Sequence, residues 1–202
     1  VMLEDDGAWP RPRETPVPAV LAVLDERPLV VLGLRAALAA APSTAEGLLV
    51  VGRTPHALES VRAGAERGRA VVVLVDDVER PGEVTAALEA GARGVALSGG
   101  SVAELLHVVA GACGGQVRVA AAVAERLAEV RRLRALFTPR ELQVLRLYST
   151  GLPAKSVARR MKVGLETVKT YIKRLREKAE PEGLPTGSRL DLAALARRLD
   201  LL

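Results

Sequence analysis

Cysteine is almost absent. Cys113 is the only one in 202 residues, which excludes an internal disulfide framework and accords with a reducing cytosol. Histidine is nearly as scarce: His56 and His107 lie in no recognisable catalytic motif, so Cys113 lacks the base that a nucleophilic thiol needs and reads as a small buried residue. No stretch approaches eighteen consecutive apolar residues, so no transmembrane helix is expected. The first residues also lack the basic-then-apolar layout of a signal peptide. These absences point to a cytoplasmic, non-membrane protein. What remains is 49% hydrophobic and 26% charged, the balance of a globular chain with one large or two small domains.

The net charge of +5 is unevenly spread. Between Phe137 and Lys178 stand eleven Lys/Arg and three Glu, leaving eighteen basic and twenty-one acidic residues elsewhere. An excess of positive charge confined to one stretch is the footprint of a polyanion-binding module.

That stretch reads as three helices. Thr138-Pro139-Arg140-Glu141 has the pattern of a capping box with Pro at the first helical position, where its missing N–H costs nothing. Leu142, Leu145 and Tyr148 share a face until Gly151 ends the helix. Ala154, Val157, Ala158 and Met161 have the i, i+3, i+4, i+7 spacing of a second short helix. Lys162-Val163-Gly164 makes a turn into a third, with Leu165, Val168, Ile172 and Leu175 as its apolar stripe. Opposite that stripe fall Thr170 and Lys173, flanked by Lys169 and Arg176 on one side and by Thr167, Arg174 and Lys178 on the other. Docked through the stripe, such a helix offers hydrogen-bonding and cationic groups to a major groove.

These residues, with Lys155, Val157-Ala158, Thr167-Val168-Lys169 and Tyr171, resemble the LuxR-type helix-turn-helix, the output half of NarL/FixJ-type response regulators. Phe137, Gly164, Tyr171 and Ala179 depart from the usual Leu, Ser, His and Leu. The resemblance implies that Lys169, Thr170 and Lys173 face base edges of double-stranded DNA. It also implies that Lys155, Thr167, Tyr171, Arg174 and Lys178 hold phosphates, which set register without reading sequence.

Upstream, residues 1–18 carry four prolines and little apolar periodicity, and are expected to be a disordered arm that includes Trp9. Strands are expected at Val20–Leu24, Leu48–Val51, Ala70–Val75 and Gly94–Leu97. They alternate with helices at Pro28–Ala41, with Leu29 and Leu32 in its apolar register, and at about 55–66, 83–90 and 101–112. Alternating βα units imply a doubly wound parallel sheet with right-handed crossovers, and chemistry at the strands' carboxyl ends. Asp25-Glu26 and Asp76-Asp77 stand at two such ends. They resemble the receiver domain of response regulators, in which an acidic pair holds Mg²⁺ and an Asp after the third strand accepts phosphate. The implied metal ligands are Asp25 and Glu26. The implied phosphoacceptor is Asp77 by the spacing of Pro81, with Asp76 fitting equally by strand length.

The resemblance breaks after Pro81-Gly82. About one βα unit is missing, and with it the hydroxyl residue that would bind a phosphoryl group. Ser98 stands where receivers have Lys, and Val95 where they have a switch aromatic. The expectation is therefore a shortened receiver-like α/β domain (19–115), a helical linker (116–136) and an all-α helix-turn-helix domain (137–202). Its function is expected to be that of a sequence-specific transcription regulator, dimeric on DNA, without catalytic residues. Its receiver-like part is expected to work without aspartyl phosphorylation, through dimerisation or a small-molecule ligand. Conventional phosphorylation control, an adaptor that touches RNA polymerase or a sigma factor, and a Mg²⁺-dependent phosphohydrolase are the alternatives.

Overall fold

Runs such as Ala70–Val75, β-branched and without a polar break, suit strands covered on both faces. The computed structural model describes residues 21–39 and 47–202. The expected arm, Trp9, Val20 and the end of the first helix at Ala41 lie outside the described residues. The front of the chain alternates β1 (Leu21–Leu24), α1 (Pro28–Leu38), β2 (Leu48–Val51), α2 (Ala57–Glu66), β3 (Ala70–Val75), α3 (Pro81–Glu89), β4 (Gly94–Leu97), α4 (Val102–Cys113), β5 (Arg118–Val119) and α5 (Ala121–Ala135). The strands form one parallel sheet in sequential order, with Val50 beside Val72 and Val72 beside Gly94. Alternate strand residues point to opposite faces. Leu48, Val50, Val72, Leu74 and Ala96 meet α1 and α4, while Leu49, Val51, Val71, Val73 and Val95 meet α2, α3 and α5.

Three expectations need correction. The fourth strand is not the last: after the turn at Gly115 (φ 79°) the chain returns to the sheet, and Arg118–Val119 pairs with β4, so the βα unit expected to be missing is present and Ser98 supplies a hydroxyl at the end of the fourth strand. Two residues were too short to register as a strand in the sequence. Second, parallel strands in sequential order, with α1 and α4 on one face and α2 and α3 on the other, cannot all be joined by crossovers of one hand. The outer connections cross with one hand and the central ones with the other. Third, α1 is rotated from its expected register. Leu34 and Leu38 are buried, whereas Leu29 and Leu32 are 82% and 66% exposed. A helix this rich in Val and Leu has two plausible stripes, and only the sheet chooses between them.

The rest is helical: α6 (Pro139–Ser149), α7 (Ala154–Met161), α8 (Leu165–Ala179), a 3₁₀ turn at Glu180–Glu182 and α9 (Arg189–Arg198). A separate core joins them, with Val144, Leu145, Val157, Val168, Leu175 and Leu192 at its centre. Ser188 and Asp191 cap α9 reciprocally, and Leu192, Leu195 and Leu199 all face this core. Helix α5 belongs to both halves: Val123 packs on the sheet and Leu133 in the helical core. From α5, the buried Arg126 donates to Glu79 (2.8 Å), to Glu129 (2.8 Å) and to the Arg198 carbonyl (3.1 Å). Arg134 donates to the Leu199 and Asp200 carbonyls.

Candidate nucleic-acid interface

The capping box closes as expected. Thr138 Oγ1 accepts from the Glu141 amide, and Glu141 accepts in return from the Thr138 amide at 2.7 Å. Glu141 is only 2% exposed. Gly151 (φ 96°) ends α6. In the turn before α8 the left-handed residue is Lys162 (φ 56°), while Gly164 keeps an ordinary extended conformation as the N-cap. No side chain caps α8.

Val168, Ile172, Leu175 and Ala179 form the buried stripe of α8. Leu165, expected among them, is exposed, because the first turn projects past the core. The opposite side is open: Thr167, Lys169, Thr170, Lys173 and Arg174 are all exposed. Lys169 pairs with Glu166 at 2.8 Å and Lys173 with Glu177 at 3.7 Å, both on the surface of the same helix. Such exposed pairs contribute only about 0–1 kcal/mol and exchange readily for a phosphate or a base edge. Thr170 donates its hydroxyl to the Glu166 carbonyl, which orients it along the helix.

Two expected phosphate contacts are placed differently. Lys178 Nζ lies 2.8 Å from Glu141, so it serves the capping carboxylate at the foot of α8. Tyr171 is half-buried against the helical core. Lys155 is exposed on α7, where Arg159 and Lys162 follow it at i+4 and i+7, also exposed. The i, i+4, i+7 spacing of that basic row is visible in the sequence.

At the far end of the sheet the acidic residues meet arginines. Asp25 accepts from the Arg27 amide and side chain at 2.7–2.8 Å and from the Arg53 amide at 3.0 Å. Its side chain is fully buried. Gly52 is required here, since a Cβ would overlap the Asp25 carboxylate. Asp76 accepts from Ser98 Oγ (2.5 Å), Arg27 (2.8 Å) and Arg53 (2.7 Å). The Ser98 hydroxyl first, then the guanidiniums, hold the Asp76 carboxyl at a pKa of about 2. Arg27 likewise keeps Asp25 below the usual carboxylate range.

A divalent cation needs several free oxygens around one point, and here guanidinium groups occupy the lone pairs. Among the described residues no group of His, Cys, Asp or Glu is arranged to hold a metal ion. Of the pair that the receiver resemblance implies for Mg²⁺, Asp25 is clamped by Arg27 and Glu26 lies half-exposed, 3.8 Å from Arg53. Of the candidate phosphoacceptors, Asp76 is fully engaged. Asp77 accepts from the Glu79 amide within its own loop.

Residues 135–196 match the family model described as "Bacterial regulatory proteins, luxR family". The match lies wholly within the helical half of the chain and its approach from α5. The chain is also 33% identical over 129 residues to the nitrate/nitrite response regulator protein NarL of Escherichia coli strain K12. That match covers 60% of this chain and 59% of the relative, so it spans less than two thirds of NarL. Among solved structures, one of two RcsB dimers bound to two parallel DNAs is similar with a TM-score of 0.57 and 16% identity, covering 89% of this chain and 98% of that one. RcsB from Salmonella enterica serovar Typhimurium, bound to promoter P1flhDC in the presence of phosphomimetic BeF3⁻, gives a TM-score of 0.54 at 16% identity, with the same shares covered. At that identity the likeness is one of fold, a parallel sheet with flanking helices followed by a helical unit. The matched segment takes in α6 and most of α9, with the whole of α7 and α8 between them.

Proposed function

We propose that this chain is a sequence-specific transcription regulator of the NarL/FixJ response-regulator type, working in the cytoplasm as a homodimer on double-stranded DNA. The observation that carries this reading is the open side of α8: five polar or cationic side chains from Thr167 to Arg174 stand clear of the protein while the aliphatic stripe is buried. In this reading residues 137–202 are the reader, α5 the connecting helix, and the five-stranded sheet with α1 to α4 the regulatory unit, which runs past the expected boundary at 115 to Val119. Lys169, Thr170 and Lys173 read base edges, and Lys155, Thr167 and Arg174 hold phosphates. Lys178 acts indirectly, by fixing the foot of α8 through Glu141. Two readers are needed because one small module buries too little surface for useful specificity. No reaction is assigned to the chain.

The regulatory unit, in the same proposal, works without aspartyl phosphorylation. Its support is the arginine pair: with Arg27 and Arg53 on Asp25 and Asp76, the site carries its own counter-charges and offers no opening for Mg²⁺. Selection of bound duplexes from a random pool with the full chain tests the reader. A two-fold symmetric site with binding that falls steeply with salt is expected. Flat salt dependence and no enriched sequence would instead favour an adaptor that touches RNA polymerase. Incubation with acetyl phosphate and Mg²⁺ tests the regulatory unit. No acid-labile adduct on Asp76 or Asp77 is expected by mass spectrometry, and an adduct that changes DNA affinity would overturn this part.

A further inference from the structure

A cleft of about 610 Å³ opens between α2 and α3. Val73 and Val75 of β3 lie at its base, with Leu58 and Val61 on the α2 side and Ala87 on the α3 side. Its mouth is at the carboxyl ends of β2 and β3, between Arg53 and Arg80. Clefts of this size, apolar inside with a few polar groups at one end, are typical of small-molecule sites. The carboxyl edge of a parallel sheet is where such sites form.

We propose that this cleft binds an organic anion with an apolar body, and that Arg53 grips the anionic end. The proposal rests on the reading of the front unit as one that receives a signal other than phosphate. It follows from which charges at the mouth are free to move. Asp76 Oδ1 is held by Arg27 at 2.8 Å and by Ser98 at 2.5 Å, so the carboxylate keeps a guanidinium and a hydroxyl if Arg53 turns away, and its Oδ2, on a side chain one-third exposed, passes to water. Glu83 is paired with Arg80 at 3.0 Å, and Asp77 accepts from its own loop. Arg53 and Arg80 are both exposed, but Glu83 accepts from Arg80 alone, whereas the carboxylate that Arg53 would leave has other partners. The Arg53 side chain is 57% exposed, and its second carboxylate, Glu26, is 3.8 Å away on the surface. An exposed pair of this kind is readily given up for a carboxylate or phosphate that accepts two parallel N–H bonds from one guanidinium. Leu58, partly exposed at the wall, supplies apolar surface that the ligand's body covers.

The loop that closes this mouth is also tied to the reader. It carries Asp76, Asp77 and Glu79, and Glu79 accepts from Arg126, which in turn reaches the carboxyl end of α9. Occupancy of the cleft therefore acts on a segment already bonded to the helix that supports the reader.

Calorimetric titration of the full chain with octanoate, octyl phosphate, acetate, inorganic phosphate and 1-octanol tests the site. Octanoate and octyl phosphate separate the two headgroups. Saturable one-to-one binding of at least one octyl anion is expected, about tenfold or more tighter than 1-octanol and than either short anion. Arg53→Ala and Leu58→Gln are each expected to weaken it by about tenfold, with circular dichroism confirming that the variants fold. Arg53→Lys keeps the charge but loses the fork, and is expected to fall between the unaltered chain and Arg53→Ala. The proposal is overturned if neither octyl anion saturates, if 1-octanol binds as tightly, or if Arg53→Ala binds unchanged. Binding of random duplex, followed separately by fluorescence anisotropy, keeps the two readings apart. Loss of DNA binding with octanoate binding intact strikes only the regulator reading, and the reverse strikes only this one.

Discussion

At Glu141 one buried carboxylate accepts from the Thr138 amide at 2.7 Å and from Lys178 at 2.8 Å. Burial alone would raise its pKa, but Lys178 and the two Thr138 groups outweigh that and leave it lowered. Glu141→Ala removes both a cap and the partner of a cation, and is expected to cost roughly 2–4 kcal/mol in urea unfolding. Lys178→Ala strands a carboxylate away from water and is expected to cost about 1–3 kcal/mol. Its effect on DNA should be equal for specific and random duplex, since Lys178 positions α8 without facing the groove. The acidic end of the sheet gives a pH prediction. Asp76 has a folded pKa of about 2 against an ordinary 3.8. Because the folded value is the lower one, its contribution is present above the unfolded pKa and is lost as pH falls from about 4 toward 2. Asp76→Asn is expected to flatten the stability profile in that window, and an unchanged profile would show that the Ser98 and arginine bonds are not what holds it. The Thr138–Glu141 cap was legible in the sequence, but the other partners were not. The carboxylates could be listed, but the fold alone brings Arg53 and Ser98 to Asp76 and Lys178 to Glu141.

At the scale of the element, α8 was the most legible part of the chain. Its stripe from Val168 to Leu175 and its open side from Thr167 to Arg174 follow from a 3.6-residue period, and both are present. The graded test of that helix separates reading from holding. Lys173→Ala is expected to cost about 1–3 kcal/mol on the selected site and to relax its preference, whereas Lys155→Ala should weaken all duplexes alike. Equal losses on both duplexes from both variants would contradict the assignment. The start of α8 offers a stability prediction. Gly164 has φ −68° and no side chain to cap the helix, so Gly164→Ser needs no strained backbone. A gain of about 0.5 kcal/mol is expected from the added cap and the less flexible unfolded chain, read as a raised urea midpoint. Helix α1 shows the limit of periodicity. With Leu29, Val30, Val31, Leu32 and Leu34 separated only by Gly33, two stripes satisfy the spacing, and the one chosen exposes Leu29 and Leu32.

In the whole molecule, α5 is the member that both halves share. Arg126 is 7% exposed and bonds to the loop after β3, to its own helix and to the end of α9. Glu129 is held low by Arg198 and Arg126, which links the same groups again from the other side. Truncating one partner of a buried charge network leaves the others unpaired. Arg126→Ala is therefore expected to split a single calorimetric unfolding transition into two, the helical half separating from the sheet. A single transition, merely shifted, would mean that Val123 and Leu133 carry the coupling through packing.

The sequence by itself determined the properties that depend on neighbours along the chain: strands from uninterrupted β-branched runs, the cap from Thr138, the placement of α8's two faces, and the local excess of positive charge. These are short-range quantities, written in spacing and composition. Tertiary structure decided what depends on distant segments meeting. It chose the buried side of α1 and returned Arg118–Val119 to the sheet. It also filled the acidic site with Arg27 and Arg53, and gave Lys178 to a carboxylate thirty-seven residues away. Charged side chains are long and their partners are chosen in space, so a list of carboxylates and cations leaves open which of them will be spent on one another.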